Sequence, residues 1–302
     1  MIKSLSRTLA IILAFIAGYL MPELHVYSWL FKWLLIIMLF ITFLGIQYHR
    51  LKPTWTHCWM VLANIVIGFL AWGGSYLFLG AGDVAESAFF TGIMPTATAS
   101  PVIMGLLGGS VEFVLTALLL CNGVICALLP MVLPAVIGQE GWGIYASVAG
   151  NIVQVMLLPL ILSIIVRHYY PKAIHVTKKL KNFSFGMWVV ILVLIAANAS
   201  NDIASRADLS AEILWVLGGL SLIICAINFW IGYLIGGNRY GAECSQSLGQ
   251  KNTTLAIYLA LTYSGPIAAL GPTFYVLWHN LWNAWQLFRA SERERRLRAE
   301  KD

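Results

Sequence analysis

The feature that most constrains this chain is a succession of long apolar segments separated by short polar ones. Most of these segments are long enough to cross a hydrocarbon core about 30 Å thick. Because lipid offers no partners to backbone amides, they must form helices or a closed barrel, and the alternating strands of a barrel are absent. The sequence predicts an all-α polytopic membrane protein with ten transmembrane helices. They are expected at 7–21, 29–47, 55–80, 84–107, 111–138, 142–167, 183–200, 212–236, 240–263 and 265–288.

The composition argues against a soluble enzyme or a nucleic-acid-binding protein. Hydrophobic residues make up 60% of the 302 residues and charged residues only 11%, too few to cover a water-soluble surface. The basic residues behind the net charge of +6 lie in loops and tails, so the expected partner is the lipid bilayer and not nucleic acid. The five cysteines lack metal-ligand spacing, so neither a disulfide nor a metal site nor a cofactor is expected.

The start of the chain superficially resembles a signal peptide, because Lys3 and Arg7 precede an apolar run. However, it lacks a small-x-small cleavage site, and Pro22 and Glu23 follow the run directly. We therefore interpret it as a retained first span.

The distribution of lysine and arginine tests the span count, since a wrong count would scramble their alternation between loops. With the N-terminus inside, the inner loops and the tail hold Lys3, Arg7, Arg50, Lys52, Arg167, Lys172, Lys178, Lys179, Lys181, Arg239, Arg289, Arg293, Arg295, Arg296, Arg298 and Lys301. The outer side holds Glu23, Asp83, Glu86, Glu140, Asp202, Asp208 and Glu212, against Arg206. Lys32, near the outer end of the second predicted span, and Lys251 do not fit this alternation. This pattern predicts an integral protein of the cell inner membrane with both termini cytoplasmic.

The longest basic loop, from Arg167 to Lys181, divides the chain into two halves of five spans. An odd number per half gives the halves opposite topology, which is the inverted-repeat plan of many secondary transporters. The fourth span of each half carries a polar interruption, Met94-Pro-Thr-Ala-Thr-Ala-Ser-Pro101 in the first and Ser247-Leu-Gly-Gln-Lys-Asn-Thr-Thr254 in the second. A single interruption is as well explained by a proline kink, but two at corresponding places favour a pair of broken helices that line a binding site.

Four motifs, in order along the chain, resemble those of the bile acid:sodium symporters, including the bacterial homologues of the apical sodium-dependent bile acid transporter. Pro95-Thr-Ala-Thr-Ala-Ser100 is similar to the family's Pro-Gly-Gly-Thr-Ala-Ser-Asn, and Gly232-Tyr-Leu-Ile-Gly236 to its Gly-Tyr-Leu-Leu-Gly. Gln250-Lys-Asn-Thr-Thr-Leu-Ala256 resembles its Gln-Asn segment, and Trp278-His-Asn280 its Trp-His-Asn.

The resemblance implies a core domain of spans 3–5 and 8–10 beside a panel domain of spans 1–2 and 6–7. Broken helices four and nine would cross in the core, and one domain would move against the other in alternating access. On this plan, residues 1–170 hold the first repeat and span six. Residues 171–302 hold the rest of the second repeat and a basic cytoplasmic tail. The resemblance also implies uptake of an organic anion coupled to two sodium ions.

The residues at the family's sodium sites depart from its pattern. Ser100 matches, but Pro101 stands at the Asn position, Val114 and Leu118 stand where hydroxyls are expected, and Asn64 replaces the span-three Gln. In span nine the family has a Glu four residues before a Gln. One register places Gln246 and Gln250 there and the other Ser247 and Lys251, so neither supplies the carboxylate. Hard cations prefer several oxygens and a negative charge. We therefore expect the sodium chemistry to be lost, with sodium-coupled symport as the alternative.

Lys251 is predicted to lie at or near the vacated cation site. An intramembrane lysine costs roughly 3 kcal/mol on insertion scales, so it is expected to be functional and to have a partner. Glu243 lies two turns earlier, and either Lys251 or Arg239 could pair with it. Lys251 would act as a tethered cation or as a proton carrier, and the alternative is a lysine that snorkels to an interface.

The predicted substrate site contains Thr96, Thr98, Ser100, Lys251, Asn252, Thr253, Thr254 and Asn280. The predicted site of the coupling ion, or of its replacement, contains Asn64, Ser100, Gln246, Gln250 and Lys251. The resulting hypothesis is a secondary active transporter of a small organic anion, a bile-acid-like or pantoate-like carboxylate. An intramembrane enzyme using Ser100 and Lys251 is a less favoured alternative, because no nucleophile elbow or carboxylate pair accompanies them. A channel is disfavoured because no helix carries a repeated polar row.

Overall fold

A computed structural model describes residues 13–14, 16–46, 51–80, 82–205 and 211–299. The first part of the predicted first span, residues 7–12, therefore lies outside the described residues, as does residue 15. So do several charged residues used to predict orientation, namely Lys3, Arg7, Arg50, Arg206, Asp208 and Lys301.

The described residues are almost entirely helical. Residues 16–20 are helical, a 3-10 turn spans Pro22–Tyr27, and a π-helical turn spans Val153–Leu157. The α-helices are α1 Leu30–Leu44, α2 Trp55–Leu79, α3 Asp83–Ile93, α4 Ser100–Leu107, α5 Val111–Val136, α6 Trp142–Ile152, α7 Leu158–Tyr169, α8 Ala173–Ser205, α9 Ala211–Gly249, α10 Thr253–Tyr263 and α11 Pro266–Ala299.

Four helical stretches within the described residues are long and apolar enough to cross a bilayer: Trp55–Leu79, Val111–Val136, Trp142–Tyr169 and Glu212–Gly249. Shorter apolar helices occur at Leu30–Leu44, Phe183–Asn198 and Thr253–Tyr263. This architecture is consistent with a polytopic membrane protein. The count of ten spans stays a prediction.

The helices pack in two groups. In one, α1 packs against α7 and α8. In the other, α3 packs against α2 and α11, and α11 also packs against α9. The largest buried apolar cluster joins both groups, with Phe31 of α1, Phe89 of α3, Leu118 of α5, Ile191 of α8 and Leu255 of α10. Because lipid is as apolar as these side chains, close van der Waals packing between the helices is what stabilises such a cluster in a membrane.

The first helix break separates α3 from α4. The helical path ends at Ile93, and Pro95 cannot continue it because it has no amide hydrogen and disfavours a helical conformation at Met94. The helix resumes at Ser100 with Pro101 in its first turn, a position that tolerates proline. The sequence therefore sets both ends of this break.

The second break separates α9 from α10 and is shorter than the polar stretch 247–254 suggests. Helix α9 continues through Gly249, and α10 begins at Thr253. The Asn252 side chain caps α10 by accepting from the amide of Leu255 at 3.2 Å. The unwound segment is thus only Gln250 to Asn252.

A sharp bend lies inside α9, between the predicted spans 212–236 and 240–263. Gly237 has φ 53°, a left-handed value that favours glycine. The two arms approach closely: a Cβ on Gly232 would lie 2.5 Å from the carbonyl oxygen of Cys244, and one on Gly236 would lie 2.6 Å from the amide nitrogen of Gly241. The Gly-Tyr-Leu-Ile-Gly motif therefore has a packing role.

Candidate functional site

The two helix breaks contact each other through their backbones. Thr96 and Lys251 form an antiparallel bridge. The amide of Ala97 donates to the carbonyl of Gln250 at 2.7 Å, and the amide of Asn252 donates to the carbonyl of Pro95 at 2.7 Å. Each break therefore satisfies polar groups that the other leaves free, as buried backbone requires.

Side chains satisfy further carbonyls around this contact. The Thr96 hydroxyl donates to the carbonyl of Ser247 at 2.7 Å, and the Ser100 hydroxyl donates to that of Gln246 at 3.0 Å. Thr96 is 2% exposed and Ser100 is fully buried. Both were predicted to bind substrate. In this structure their hydroxyls hold α9 against the first break.

Sequence reasoning missed two residues that brace the breaks. Asn122 of α5 donates from Nδ2 to the carbonyl of Thr96 at 3.0 Å, and the Tyr275 hydroxyl of α11 donates to the carbonyl of Gly249 at 2.7 Å. Asn122 stands in an otherwise apolar stretch, a signal that could have found it. Tyr275 carries no comparable signal, because tyrosines are common in such helices.

Lys251 is 1% exposed, so its side chain does not reach an interface and the snorkelling alternative is wrong. Its Nζ donates a hydrogen bond to Oδ1 of Asn64 on α2. The predicted pairing with Glu243 is also wrong. Glu243 Oε1 instead accepts from the amide of Ser110 at 2.9 Å, and the Arg239 guanidinium lies 5.0 Å from the centre of the Tyr240 ring. The break at Gln250–Asn252 directs Lys251 inward, whereas Glu243 lies near the start of α5.

The other residues predicted to hold a coupling ion are neutral, and most of them bond groups other than Lys251. Gln246 Nε2 donates to Oε1 of Gln250 at 2.5 Å and to Oδ1 of Asn283 at 3.0 Å, and these three amide side chains are buried. Val114 and Leu118 are fully buried apolar residues. Among the described residues, no group of three or more His, Cys, Asp or Glu side chains could hold a metal ion. Lys251 contributes a basic group of the protein itself at the predicted cation site, where it bonds Asn64.

A cavity of about 260 Å³ opens beside the paired breaks. Its polar wall contains six of the predicted substrate residues, Thr98, Lys251, Asn252, Thr253, Thr254 and Asn280. Its opposite wall is largely apolar and comes from α1 and α8, with Leu35, Met38, Leu39, Phe185 and Trp188. The cavity thus lies between the two packing groups of helices.

Two neighbouring residues of α11 also face this cavity. Asn280 Nδ2 donates to the carbonyl of Val276 at 2.7 Å. His279 is 4% exposed, and its Nδ1 has no hydrogen-bond partner among the described residues. A buried imidazole nitrogen without a partner is costly, and this nitrogen has almost no surface open to the cavity.

The geometry does not assemble Ser100 and Lys251 into a nucleophile and base. The Ser100 hydroxyl donates to a backbone carbonyl and the Lys251 ammonium donates to Asn64. Nucleophilic catalysis requires the two side chains to be within hydrogen-bond reach of each other. In this structure Ser100 and Lys251 therefore do not form the pair that the enzyme alternative requires.

No protein-family model matches the chain. The chain is similar to a protein of Bacillus subtilis (strain 168) described as an uncharacterized sodium-dependent transporter, YocS. The two are 23% identical over 292 residues, which cover 88% of this chain and 84% of that protein. The similarity is distant but extends over most of both chains.

Proposed function

We propose that this protein is a secondary active transporter of a small organic anion, related to the bile acid:sodium symporters. The observation that carries the proposal is the antiparallel pairing of two helix breaks, with a buried lysine, beside a cavity. Unwound backbone at membrane depth is costly unless it is buried or lines a cavity, and in transporters it marks the binding site. The Bacillus subtilis protein that this chain resembles is itself described as a transporter.

The local electrostatics favour an anion. Helices α4 and α10 both begin at the breaks, at Ser100 and Thr253, and a helix N-terminus carries a partial positive charge. When protonated, Lys251 adds a full positive charge on the wall of the same cavity. Its hydrogen bond to Asn64 leaves that charge uncompensated, because an amide oxygen is neutral. A carboxylate is the complementary ligand.

The volume of the cavity favours a small substrate. Pockets for drug-sized ligands usually have volumes of about 300–1,000 Å³, and this cavity has about 260 Å³. A pantoate-like carboxylate suits this volume better than a sterol-sized bile acid. The apolar wall that includes Leu35 and Trp188 would hold the hydrocarbon part of such an acid.

Alternating access is proposed to occur at the same place. Because the cavity separates α1 and α8 from the paired breaks, movement of one group against the other would open it alternately to the two sides. The two packing groups of helices are consistent with a panel domain and a core domain. We propose that these domains together contain ten spans arranged as two inverted repeats. On this plan the protein lies in the inner membrane with both termini in the cytoplasm.

Lys251 is proposed to replace the coupling cation of the symporters. Its ammonium bonds Asn64, the residue that stands where the family places a sodium-binding Gln. A sodium ion brought close to this ammonium would be repelled, and the neighbouring Gln246 and Gln250 provide no carboxylate to offset the repulsion. The protein would then carry the anion with a tethered cation, or with a proton held by the lysine.

A second candidate is sodium-coupled symport, which the description of the Bacillus relative favours. The amide oxygen of Asn64 and the buried amide oxygens of Gln246, Gln250 and Asn283 would then be candidate side-chain ligands. In this case Lys251 would have to move away from Asn64 or lose its proton when sodium binds.

Counterflow in proteoliposomes tests the proposal. Vesicles loaded with a short-chain hydroxy acid should accumulate the same labelled acid unmodified, with or without sodium. Lys251→Met should abolish this exchange. Lys32→Met is the matched control, because Lys32 also bonds amide oxygens, at 2.9 Å to Asn151, but lies away from the cavity. Obligatory, saturable sodium dependence with Lys251 intact would refute the tethered-cation mechanism, and chemical conversion of the acid would refute transport.

A further inference from the structure

An apolar groove lies on the outer side of α9 and α11, away from the candidate substrate cavity. It has a volume of about 690 Å³. Its walls include Leu222, Phe229 and Trp230 from α9 and Leu281, Trp282 and Trp285 from α11. These are apolar segments of two predicted spans, so the groove is expected to face the hydrocarbon part of the bilayer.

Aromatic rings form one continuous wall of the groove. The rings of Phe229 and Trp282 have centroids 5.5 Å apart, and those of Trp282 and Trp285 are 4.8 Å apart. Trp282 is 40% exposed and Trp285 is 50% exposed, so the rings are open to a ligand. Rigid aromatic walls bind an apolar chain at little cost in side-chain entropy.

A positive charge lies at one end of this wall. The Arg289 guanidinium lies 5.6 Å from the centre of the Trp285 ring, which places it one helical turn beyond the groove. Arg293 is exposed one turn further along α11. Arginine stacked on an aromatic ring keeps its hydrogen-bonding edge free for a phosphate. The groove is therefore apolar along its length and cationic at its end.

We propose that this groove binds an anionic phospholipid, with one acyl chain against Phe229, Trp282 and Trp285 and the headgroup phosphate at Arg289. The proposal is independent of the substrate that the protein carries. Basic residues directly beside a membrane span attract anionic lipid, and the groove adds a shaped site for the chain. A second copy of this protein fits less well, because a two-fold dimer through this face would bring the Arg289 side chains together.

The groove also contacts the helix that carries the second break. The Phe229 ring packs directly against Gly249, the last residue of α9 before the unwound segment, and leaves no space there for a Cβ. Ser245 lines the groove and donates from its hydroxyl to the carbonyl of Phe229 at 2.7 Å. A bound acyl chain would thus hold Phe229 in place and stabilise the protein.

Lipid titration of the purified protein, followed by native mass spectrometry and thermal unfolding, tests this site. Dioleoylphosphatidylglycerol should bind the wild type about fivefold more tightly than dioleoylphosphatidylcholine, the size expected for one basic residue near a membrane surface. Arg289→Gln should remove this preference and Arg289→Lys should retain it. Arg239→Gln is the matched control, because Arg239 also stacks on a ring but lines other cavities.

The chain-binding part has its own pair of variants. Trp282→Ala should weaken the binding of both lipids, whereas Trp215→Ala, which removes an 82% exposed tryptophan elsewhere on α9, should not. Equal binding of the two lipids to the wild type would overturn the proposal. Loss of the preference in Arg239→Gln as large as in Arg289→Gln would also do so. If inorganic phosphate alone raises the unfolding temperature as much as the anionic lipid does, the face binds free phosphate and the proposal is wrong. If the purified protein is a dimer that Trp282→Ala dissociates, a second copy of the chain occupies the groove and the proposal is wrong.

Discussion

The Nζ of Lys251 donates a hydrogen bond to Oδ1 of Asn64, and this contact joins two residues 187 positions apart within the buried interior. It brings the unwound segment of the second break against α2. Because the amide oxygen of Asn64 is neutral, this contact holds the Lys251 ammonium in place without cancelling its positive charge.

Replacing Lys251 with methionine should weaken binding of a carboxylate substrate at least about tenfold, since a hydrogen bond to a charged group contributes about 1.5–3 kcal/mol. Isothermal titration of the purified protein with the acid identified by counterflow would measure this. Lys32→Met should bind the acid as the wild type does. Equal affinity in Lys251→Met and the wild type would show that the lysine does not contact the substrate.

Asn64→Asp should also weaken anion binding, but for a different reason. It places a carboxylate next to the Lys251 ammonium, and the ion pair cancels the positive charge of the site. Asn64→Leu removes the acceptor for Lys251 and the Nδ2 donor to the carbonyl of Ile93. It should instead lower the free energy of unfolding by about 1–3 kcal/mol for each buried polar group left unpaired. Thermal unfolding and ligand titration of both variants separate the two effects. Tighter anion binding by Asn64→Asp would contradict this account.

Asn122→Leu should destabilise the contact between the two breaks, because the carbonyl of Thr96 then loses a donor. We expect a loss of about 1–3 kcal/mol in the free energy of unfolding, together with slower exchange in counterflow. Thr273→Val is the control, since the buried Thr273 hydroxyl donates within its own helix, to the carbonyl of Ala269 at 2.7 Å. The prediction fails if the Thr273 variant loses as much exchange activity as the Asn122 variant.

Gly232→Ala should lower the unfolding temperature, because the added Cβ would meet the backbone of Cys244 and Ser245 in the other arm of α9. Overpacking of this kind typically costs about 1–3 kcal/mol. Gly219→Ala on the same helix meets no atom within 4 Å and should be neutral or slightly stabilising. Differential scanning calorimetry of the two variants provides the comparison. Equal unfolding temperatures would show that the two arms of α9 move apart easily to admit the extra Cβ.

Trp188→Ala should extend the range of accepted substrates to longer acids, because Trp188 forms part of the apolar wall of the cavity. One methylene more or less in an apolar pocket changes the free-energy difference between two competing substrates by about 1–3 kcal/mol. Competition in counterflow by a series of straight-chain acids would show the change as a shift of the best competitor to greater length. Trp142→Ala removes an 87% exposed ring and should leave the series unchanged.

Several parts of the site could be predicted from sequence because they depend on local chemistry. Pro95 ends α3 by its own covalent structure, and Asn252 caps α10 three residues before Leu255. The polar residues that follow the second break were expected at a cavity, and Thr253 and Thr254 do line one. The pairing of Lys251 with Glu243 was wrong, because helical spacing applies only while the helix continues, and α9 ends at Gly249.

The sequence by itself determined that this chain forms long apolar helices and that two of them are interrupted. Segment length, proline and glycine fix those features within a few residues of where they occur. Only the tertiary structure decided that the interruptions bond to each other, that Lys251 meets Asn64, and that Asn122 and Tyr275 brace the breaks. These contacts join distant segments, so they depend on how whole helices pack, which no local pattern specifies.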